Sequence, residues 1–354
     1  MLGAGFSRSL GGPLLYDMFS KRTLEETLIR FPKLPNTELV ELYSAYQNHR
    51  PNMGNIVLWQ HAEEFLDYVD TARKPGPRQA ILKRFIKPDV EQFYGQCVTS
   101  VAAENSFAWD GELTSEPWLP YVDWAKTLTG LDSIITFNYD QVLERLGEHA
   151  EVKHLGRKSL YGVSETATST PRGFATIYKL HGSTTWVKPE SASSMITLAR
   201  EPAQLLETPF RMLLASPGPT KKLHRDGQLK SIWDQALVEL KEADAIVFVG
   251  YRFPPSDSES RRLLLKAIQD NDRPDLRIHI VLGQPDASST PAIERLKSLL
   301  RSVLSSKRGE GPRVPENERH HYFEVIVHPL YAEDFFTVMS RDAITDVTYP
   351  PYKT

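Results

Sequence analysis

Residues 243–257 read ADAIVFVGYRFPPSD, and this stretch decides the fold class. Apart from Asp244, its first seven residues are apolar and rich in β-branched side chains, and they run into Gly250, as is typical of a buried strand followed by a turn. Helical spacing precedes the run in Leu229–Lys241 and follows it in Ser258–Gln269. A buried strand between two helices indicates a mostly parallel α/β sheet.

Further apolar runs follow the same pattern, and they predict strands at Ser133–Phe137, Thr176–His181, Arg277–Leu282 and Tyr322–His328. Helical spacing predicts helices at Gln141–Leu146, before Gly147, and near Ala332–Met339. The spacing of Leu14, Leu15, Met18 and Phe19 predicts that residues 3–31 form a glycine loop followed by a helix. The alternation predicts a mostly parallel sheet with helices on both faces.

Residues 36–126 differ from the rest because they contain no β-branched strand run and their apolar spacing is helical throughout. We therefore predict a helical insertion over 36–126 within a sheet domain formed by residues 1–35 and 127–290. Residues 291–354 are predicted to form a C-terminal extension of helix and strand that packs on the same domain.

The composition excludes several classes of protein. Forty-two basic and 45 acidic residues leave a net charge of −3, so we predict no direct binding to nucleic acid or to a membrane. The single Cys97 excludes a disulfide framework within the chain and a four-cysteine zinc site, and we predict no metal site. No apolar run approaches the roughly 18–20 residues of a membrane span, and no signal peptide is visible, which predicts a cytoplasmic protein.

Small and polar residues lie at four points where a strand is predicted to end. They form the clusters Gly3-Ala4-Gly5, Asn138-Tyr139-Asp140, His181-Gly182-Ser183 and Gly250-Tyr251-Arg252. Open α/β sheets bind ligands beyond the carboxyl ends of their strands, so we expect the four clusters to converge on one crevice. That crevice is the candidate functional site.

The glycine cluster at residues 3–5 allows two interpretations. Glycines between a strand and a helix can bring backbone N–H groups against a phosphate. A dehydrogenase fingerprint is not formed, because Arg8 stands where the third glycine belongs, and no Walker A lysine follows. The alternative is a turn that needs glycine because its backbone adopts a positive φ.

The second and third clusters also have structural alternatives. Asn138 and Asp140 are good helix N-caps, and Gln141 lies three residues after Asn138, as in a capping box. His181 is either a histidine satisfied within the core or a general base at a strand end, because imidazole titrates near neutral pH. A residue at a strand end can cap a helix and also face the crevice.

Residues 250–257 continue from the strand run that opened this section. They form either a strand-to-helix turn, with Ser256 or Asp257 as the cap, or a loop that contacts phosphate. Arg252 favours the second interpretation because a guanidinium can bind phosphate oxygens. The residues alone leave both interpretations open.

Taken in order, the four clusters resemble the sirtuin-like (SIR2) superfamily, and most closely its prokaryotic branch found in anti-phage defence systems. The segments that carry the resemblance are GAGFS (3–7), ITFNYD (135–140), KLHGSTTW (179–186) and ADAIVFVGYRFPPSD (243–257). They occur in the family's order, and each stands at a predicted strand end. The helical insertion and the C-terminal extension lie outside the resemblance.

The resemblance implies a Rossmann-like domain that binds NAD and acts on the bond between nicotinamide and ribose. It implies that the pyrophosphate lies against Gly3, Ala4, Gly5, Phe6 and Ser7. It implies that Asn138 positions the ribose or a water molecule, that Asp140 supports that arrangement, and that His181 is the base. Further contacts to the NAD are implied for Gly182, Ser183, Gly250, Tyr251 and Arg252.

The chain departs from the deacylating sirtuins in several motifs. Their structural zinc is held by four cysteines, whereas this chain has one cysteine. Their Q-N-I-D motif reads FNYD at residues 137–140, their G-I-P-D-F-R motif reads GGPLLY at residues 11–16, and Arg252 replaces a common serine. The resemblance therefore implies the zinc-free branch, whose characterised members hydrolyse NAD.

That branch implies an NAD+ hydrolase that releases nicotinamide and ADP-ribose and acts in bacterial defence by depleting NAD, as in abortive infection. Because an unrestrained NADase is toxic, the resemblance also implies control by a trigger, by a homo-oligomer or by a defence-system partner protein. Two alternatives stay open. One is an NAD-dependent protein deacylase or ADP-ribosyltransferase, and the other is a non-catalytic scaffold or sensor that binds NAD or ADP-ribose.

Only Met1 and Leu2 precede the glycine cluster, although a strand should lead into it. A central strand needs about five residues. We therefore expect the natural protein to begin upstream of Met1, and we expect a form extended at this end to be more stable and to bind NAD better.

Overall fold

The computed structural model describes residues 1–14, 17–34, 36–49, 62, 65–66, 69, 90–163, 169–187, 196–199, 212–215, 227–253, 257–273, 276–285, 290–306 and 324–345. Its helices are α1 (Lys21–Arg30), α2 (Asn36–His49), α3 (Val90–Glu104), α4 (Leu119–Thr127), α5 (Val142–Leu146), α6 (Gly227–Glu242), α7 (Ser258–Gln269), α8 (Thr290–Ser306), α9 (Ala332–Val338) and α10 (Arg341–Thr345). Its strands are β1 (Ser133–Thr136), β2 (Thr176–Lys179), β3 (Gly182–Val187), β4 (Thr197–Leu198), β5 (Met212–Leu214), β6 (Ala245–Val249), β7 (Arg277–Val281) and β8 (Glu324–His328). Within these residues, no helix combines the length and the apolar character needed to cross a bilayer.

The main sheet is parallel and is closed at its centre by the first residues of the chain. β1 pairs with β2, while β6 pairs with β7 and β7 with β8. Leu2 bridges Thr136 of β1 and Val249 of β6, and its N–H donates to the carbonyl of Ile135 at 2.8 Å. The spatial order is therefore β2, β1, residues 1–3, β6, β7, β8.

Helices cover this sheet and bury its apolar strands. α6 packs against β2, α8 against β8 and α10 against β7. Every residue of β7 is buried, including the polar Arg277 and His279, as expected for a strand inside a parallel sheet that is covered by helices. The predicted α/β, Rossmann-like fold class is confirmed, and each predicted strand of this sheet is present within two residues at either end.

A smaller antiparallel sheet, with strand order β4-β3-β5, was not predicted from the sequence. The run predicted to be one strand, 176–181, ends at Lys179, and the chain turns at residues 180–181 before β3 begins. β3 contains three polar residues in a row, Ser183, Thr184 and Thr185, and all three are buried. Because strand signals rely on apolar residues alternating with exposed polar ones, a strand buried with polar side chains gives no such signal.

The helix predicted to follow the glycine loop within residues 3–31 is present as α1, but it begins later than expected, so Met18 and Phe19 precede it. Residues 17–20 form a turn, and α1 begins at Lys21 after the N-cap Ser20, whose hydroxyl accepts a hydrogen bond from the N–H of Thr23. Phe19 adopts a φ of 57°, which is unfavourable for a bulky residue. Its ring is fully buried against the aromatic side chains of α2, so burial offsets the backbone strain.

α1, α2 and α3 form a layer with a hydrophobic core of its own. That core contains Phe19, Leu39, Leu42 and Tyr43, and it reaches the sheet through Tyr139. The described part of residues 36–126 contains helices and turns and no strand. The boundaries of the helical insertion and of the C-terminal extension stay predictions, although β8 lies in the main sheet.

Candidate functional site

The glycine loop, residues 3–7, lies at the carboxyl ends of β1 and β6. Gly3 donates its N–H to the carbonyl of Val249 at 3.0 Å, and Leu2 accepts a hydrogen bond from the N–H of Phe137 at 3.1 Å. The loop therefore starts between the two strand ends that carry the Asn138 and Gly250 clusters. It continues into short 3-10 turns, Ala4–Phe6 and Arg8–Leu10, so the helix N-terminus expected behind the glycines is not formed.

The glycines are required by a close approach between two backbones. A Cβ on Gly3 would lie 2.6 Å from the carbonyl oxygen of Gly250, and a Cβ on Gly5 would lie 2.8 Å from the Cα of Gly250. Gly250 has a φ of +66°, and a Cβ there would lie 2.3 Å from the N of Phe6. Neither Gly3 nor Gly5 has a positive φ, so the turn interpretation is wrong for these two residues and applies to Gly250.

Asn138 connects the end of β1 to the glycine loop. Its side-chain amide nitrogen donates to the carbonyl of Gly3 at 3.1 Å and to Oγ of Ser7 at 3.0 Å. The side chain is therefore directed to the loop, and it does not cap α5. The capping box predicted from Asn138 and Gln141 is not formed, because α5 begins only at Val142.

Asp140 is buried behind Asn138. Its carboxyl accepts a hydrogen bond from Oγ of Ser7 at 2.7 Å and another from the N–H of Val142 at 3.1 Å, so it anchors both the glycine loop and the start of α5. Burial raises the pKa of the Asp140 carboxyl, while the nearby Lys179 ammonium and the Ser7 hydrogen bond oppose that rise. Asp140 thus supports the site from within the core.

A buried lysine beneath this site was missed by the sequence reasoning. Lys179, the last residue of β2, donates to Oε1 of Glu144 at 2.7 Å, to Oγ of Ser183 at 3.0 Å and to the carbonyl of Asp140. Lys179 and Glu144 are both almost completely buried. A lysine inside the apolar run TIYKL was the available signal, since lysine is rarely buried without a partner.

His181 lies just beyond the end of β2 and is buried between aromatic rings. The ring of Phe137 meets it edge-on with the centroids 4.8 Å apart, and the ring of Tyr139 lies 6.0 Å away. Phe137 and Tyr139 flank Asn138 in the chain, so His181 and Asn138 belong to one cluster at the ends of the paired strands β1 and β2. Tyr139 is held in turn by its hydroxyl, which donates to the carbonyl of Ala215.

Asp257 lies beside His181 and is a second residue whose role was not predicted. Its Oδ1 is 4.0 Å from Nε2 of His181, and both side chains are 4% exposed. Asp257 occupies the N-cap position of α7, but its side chain makes no capping hydrogen bond. The predicted cap position is therefore confirmed for Asp257, although its side chain does not make the capping bond, and Ser256 lies outside the described residues.

Tyr251 and Arg252, which were both predicted to contact NAD, lie in different surroundings. Tyr251 is buried and stacks on Phe137 at 4.2 Å, so it joins the aromatic wall around His181. Arg252 is exposed, with its guanidinium 3.5 Å from the carbonyl of Leu282. The structure therefore brings the Gly250-Tyr251 backbone to the loop, while Arg252 projects toward the end of β7.

Three predicted contact residues point into the protein. The ring of Phe6 packs edge-on against Tyr121, with the centroids 5.2 Å apart. The hydroxyl of Ser183 is buried between Lys179 and the carbonyl of Tyr139, and a Cβ on Gly182 would lie 1.9 Å from the carbonyl oxygen of Leu213. These contacts give Phe6, Gly182 and Ser183 packing roles.

The expected convergence of the four clusters is seen in the contacts above, since hydrogen bonds or ring contacts join each cluster to another. No group of three or more His, Cys, Asp or Glu side chains in the described part of the chain is placed to hold a metal ion.

The chain was compared with known proteins and protein families, and a family match covers most of the candidate site. No curated protein matches the chain. A family model described as SIR2-like domain matches residues 132–303, a range that contains β1, β2, β6 and β7 together with Asn138, Asp140, His181 and Asp257. This match supports the relation of the chain to the SIR2-like superfamily and its use of NAD.

Proposed function

We propose that this protein hydrolyses NAD+ at the bond between nicotinamide and ribose and releases nicotinamide and ADP-ribose. The observation that carries the proposal is the placement of Asn138 and His181 at the ends of the paired strands β1 and β2, beside the glycine loop. In open α/β sheets such strand ends are where ligands bind. The SIR2-like match over residues 132–303 supports NAD as that ligand.

The glycine loop fits a pyrophosphate through one backbone donor. The N–H groups of Gly3, Gly5, Phe6 and Ser7 donate to carbonyls of the protein, whereas the N–H of Ala4 makes no hydrogen bond within the described part of the chain. Ala4 is also exposed. In the proposal, its N–H donates to a phosphate oxygen, and Asn138 orients the adjoining ribose.

His181 is the proposed general base. A water molecule attacks the anomeric carbon of the ribose, the carbon–nitrogen bond breaks, nicotinamide leaves with the electron pair, and His181 accepts the proton of the water. The carboxylate of Asp257, 4.0 Å from Nε2, stabilises the imidazolium that results. Asp257 is thus a proposed positioning residue, and Asn138 and His181 are the proposed catalytic residues.

The proposed biological role is depletion of NAD in anti-phage defence, in the cytoplasm. Because unrestrained NAD hydrolysis kills the cell, we propose that a second copy of the chain or a defence-system partner protein controls the activity. This part of the proposal rests on the resemblance of the four sequence segments to the prokaryotic SIR2-like branch.

The test is an assay of the purified chain with NAD+, alone and with the products of neighbouring genes, in which released nicotinamide is followed by chromatography. We expect His181→Ala to lower the rate by about 10²- to 10⁴-fold, the usual contribution of a general base. Asn138→Ala is expected to abolish release as well. His149→Ala, which changes a partly exposed histidine of the same domain, is the matched control and should keep the full rate.

Each result distinguishes one function from another. Release that persists in both Asn138→Ala and His181→Ala would reject this site. Tight NAD binding without turnover under every condition would indicate a binding module instead. Turnover that requires an acetylated peptide would indicate a deacylase.

A further inference from the structure

A cavity of about 270 Å³ lies apart from the proposed catalytic residues. Residues 8–13, which follow the glycine loop, form one side of it, α1 forms another, and Glu104 at the end of α3 closes it. Asn138, Asp140 and His181 do not line it. The cavity therefore offers a binding place that the hydrolysis of NAD does not use.

Glu104 contributes a buried carboxyl to the lining of this cavity, and one of its two oxygens has no hydrogen-bond partner among the described residues. Tyr43, Ser100 and the N–H of Phe19 all donate to its Oε1, the last two at 3.1 and 3.3 Å. Its Oε2 is buried and has no hydrogen-bond partner among the described residues. A buried polar atom without a partner is destabilising, so a ligand hydroxyl that donates to Oε2 is favoured.

The same burial affects the protonation of this carboxyl. Burial raises the pKa of Glu104 to about 7, while the hydrogen bonds from Tyr43 and Ser100 oppose the rise. Both forms of the carboxyl are therefore populated near neutral pH, and both can bond to a hydroxyl group.

Arg30, the last residue of α1, supplies a positive charge to the cavity. The neighbouring Arg8 is paired with Asp17 at 2.5 Å, and Arg22 with Glu26 at 2.8 Å. The half-buried Arg30 makes no ion pair or hydrogen bond with any residue in the described ranges. Burial lowers the pKa of its guanidinium, while the nearby carboxyl groups of Asp110 and Glu26 oppose that fall without forming an ion pair with it.

We propose that this cavity binds a phosphorylated sugar, with a sugar hydroxyl on Glu104 and the phosphate on Arg30. Carboxylates bind ribose hydroxyls in many nucleotide sites, and the planar guanidinium matches the oxygens of a phosphate. The cavity is slightly smaller than the roughly 300–1,000 Å³ of pockets for drug-sized ligands, so it suits one ribose phosphate and not a whole dinucleotide. A free sugar phosphate and the ribose-phosphate end of ADP-ribose share this chemistry.

The test measures binding to the full chain by calorimetry, with ribose 5-phosphate, ADP-ribose, inorganic phosphate and nicotinamide as separate probes. Ribose 5-phosphate is expected to bind at least about tenfold more tightly than inorganic phosphate, because only the sugar bonds to Glu104. Binding of ADP-ribose that depends on Arg30, without binding of ribose 5-phosphate, would identify the nucleotide as the source.

Substitutions of the cavity residues test whether the ligand binds in this cavity. Arg30→Gln and Glu104→Gln are each expected to weaken binding of ribose 5-phosphate by about tenfold or more. Lys21→Gln, on the same helix but outside the cavity lining, with its ammonium exposed and paired with Glu25, is the matched control and should change binding by less than about twofold. Thermal melting checks that each variant is folded, and Arg30→Gln alone decides the result where Glu104→Gln is unfolded.

The two proposals fail separately. Asn138→Ala should abolish NAD hydrolysis and leave binding of ribose 5-phosphate unchanged. Absence of Arg30-dependent binding by both sugar phosphates, an equal loss in Lys21→Gln, or binding of nicotinamide in their place would overturn the cavity proposal, whatever the result of the NAD assay. Equal affinity for inorganic phosphate would also overturn it, since the sugar would then contribute nothing.

Discussion

The hydroxyl of Ser7 donates a 2.7 Å hydrogen bond to Oδ2 of Asp140, a buried carboxyl 133 residues further along the chain. This bond fastens the glycine loop to the end of β1. Asn138 adds a second connection, because its amide nitrogen donates to the same Ser7 oxygen at 3.0 Å. The loop and the strand end therefore form one rigid unit at the candidate site.

We expect Ser7→Ala to destabilise the protein by about 1–3 kcal/mol, because Oδ2 of the buried Asp140 loses its donor. Urea unfolding measures the effect as a lower midpoint with an unchanged slope. Thr114→Ala removes an exposed hydroxyl and serves as the control, with an expected change within about 0.5 kcal/mol. An equal change in the two variants would show that the Ser7–Asp140 bond does not contribute to stability.

The buried ion pair between Lys179 and Glu144 leads to a second prediction. Lys179→Met should cost about 3–5 kcal/mol, because it leaves the Glu144 carboxyl buried without its cation. The double variant Lys179→Met with Glu144→Gln should recover part of that loss, since no unpaired charge remains. Strictly additive losses in this double-mutant cycle would contradict the predicted coupling.

Substitutions at Gly250 and Gly173 distinguish the cost of a steric clash between two backbones from the cost of a positive φ. Both have a positive φ, but a Cβ on Gly173 meets nothing within 4 Å, whereas one on Gly250 lies 2.3 Å from the N of Phe6. Gly173→Ala should cost about 1–2 kcal/mol for the left-handed backbone. Gly250→Ala should cost about 1–3 kcal/mol more, for the displaced glycine loop.

The same pair of variants tests the site. Gly250→Ala should also weaken NAD binding, measured by calorimetry, because the loop moves away from the end of β6. Gly173→Ala should bind NAD as the unaltered chain does. Unfolding midpoints that are equal for the two variants would show that the loop tolerates a side chain at position 250.

The two histidines on β7 and β8 predict how stability depends on pH. His279 and His328 are buried with Nδ1 of the first 2.9 Å from Nε2 of the second, and Nε2 of His279 lies 3.1 Å from the carbonyl of Ile344. Burial lowers the pKa of each to about 4, from 6.5. Between these values the unfolded chain binds more protons than the folded one.

The contribution of these two histidines to the free energy of unfolding is therefore fully present above about pH 6.5 and is lost as the pH falls toward 4. Urea unfolding at intervals between pH 7 and pH 4.5 should show this decline. His328→Phe should make the decline shallower, because one of the two buried imidazoles no longer titrates. His149→Gln is the control at a partly exposed position, and a decline that is the same in both variants would assign the pH dependence to other groups.

Local sequence patterns were sufficient to predict the strands of the main sheet and the helices beside them. β6 is apolar on both faces, β7 contains three β-branched apolar residues, and α6 and α7 carry helical spacing beside them, so each segment signals its own conformation. The candidate site could be located for the same reason, since a strand end is visible in the sequence and parallel strands bring their carboxyl ends to one edge. Asn138 and His181 were selected in this way, and their roles are part of the proposed function.

Other features depend on partners distant in the chain, and no local pattern contains them. Asp257 looks like a helix cap until the fold places His181 4.0 Å away, and Lys179 is an isolated lysine until Glu144 and Ser183 surround it. Oε2 of Glu104 has no partner among the described residues because Tyr43 of α2 and Ser100 of α3 both donate to Oε1.

The sequence by itself determined the class of the fold and the strand ends that carry the candidate site, because periodicity and chain breaks are properties of neighbouring residues. Only the tertiary structure decided which polar groups are buried, which glycines touch backbone and which charges are paired. Those properties follow from desolvation and close packing between segments far apart in the chain, and they decide how the residues at the strand ends can act.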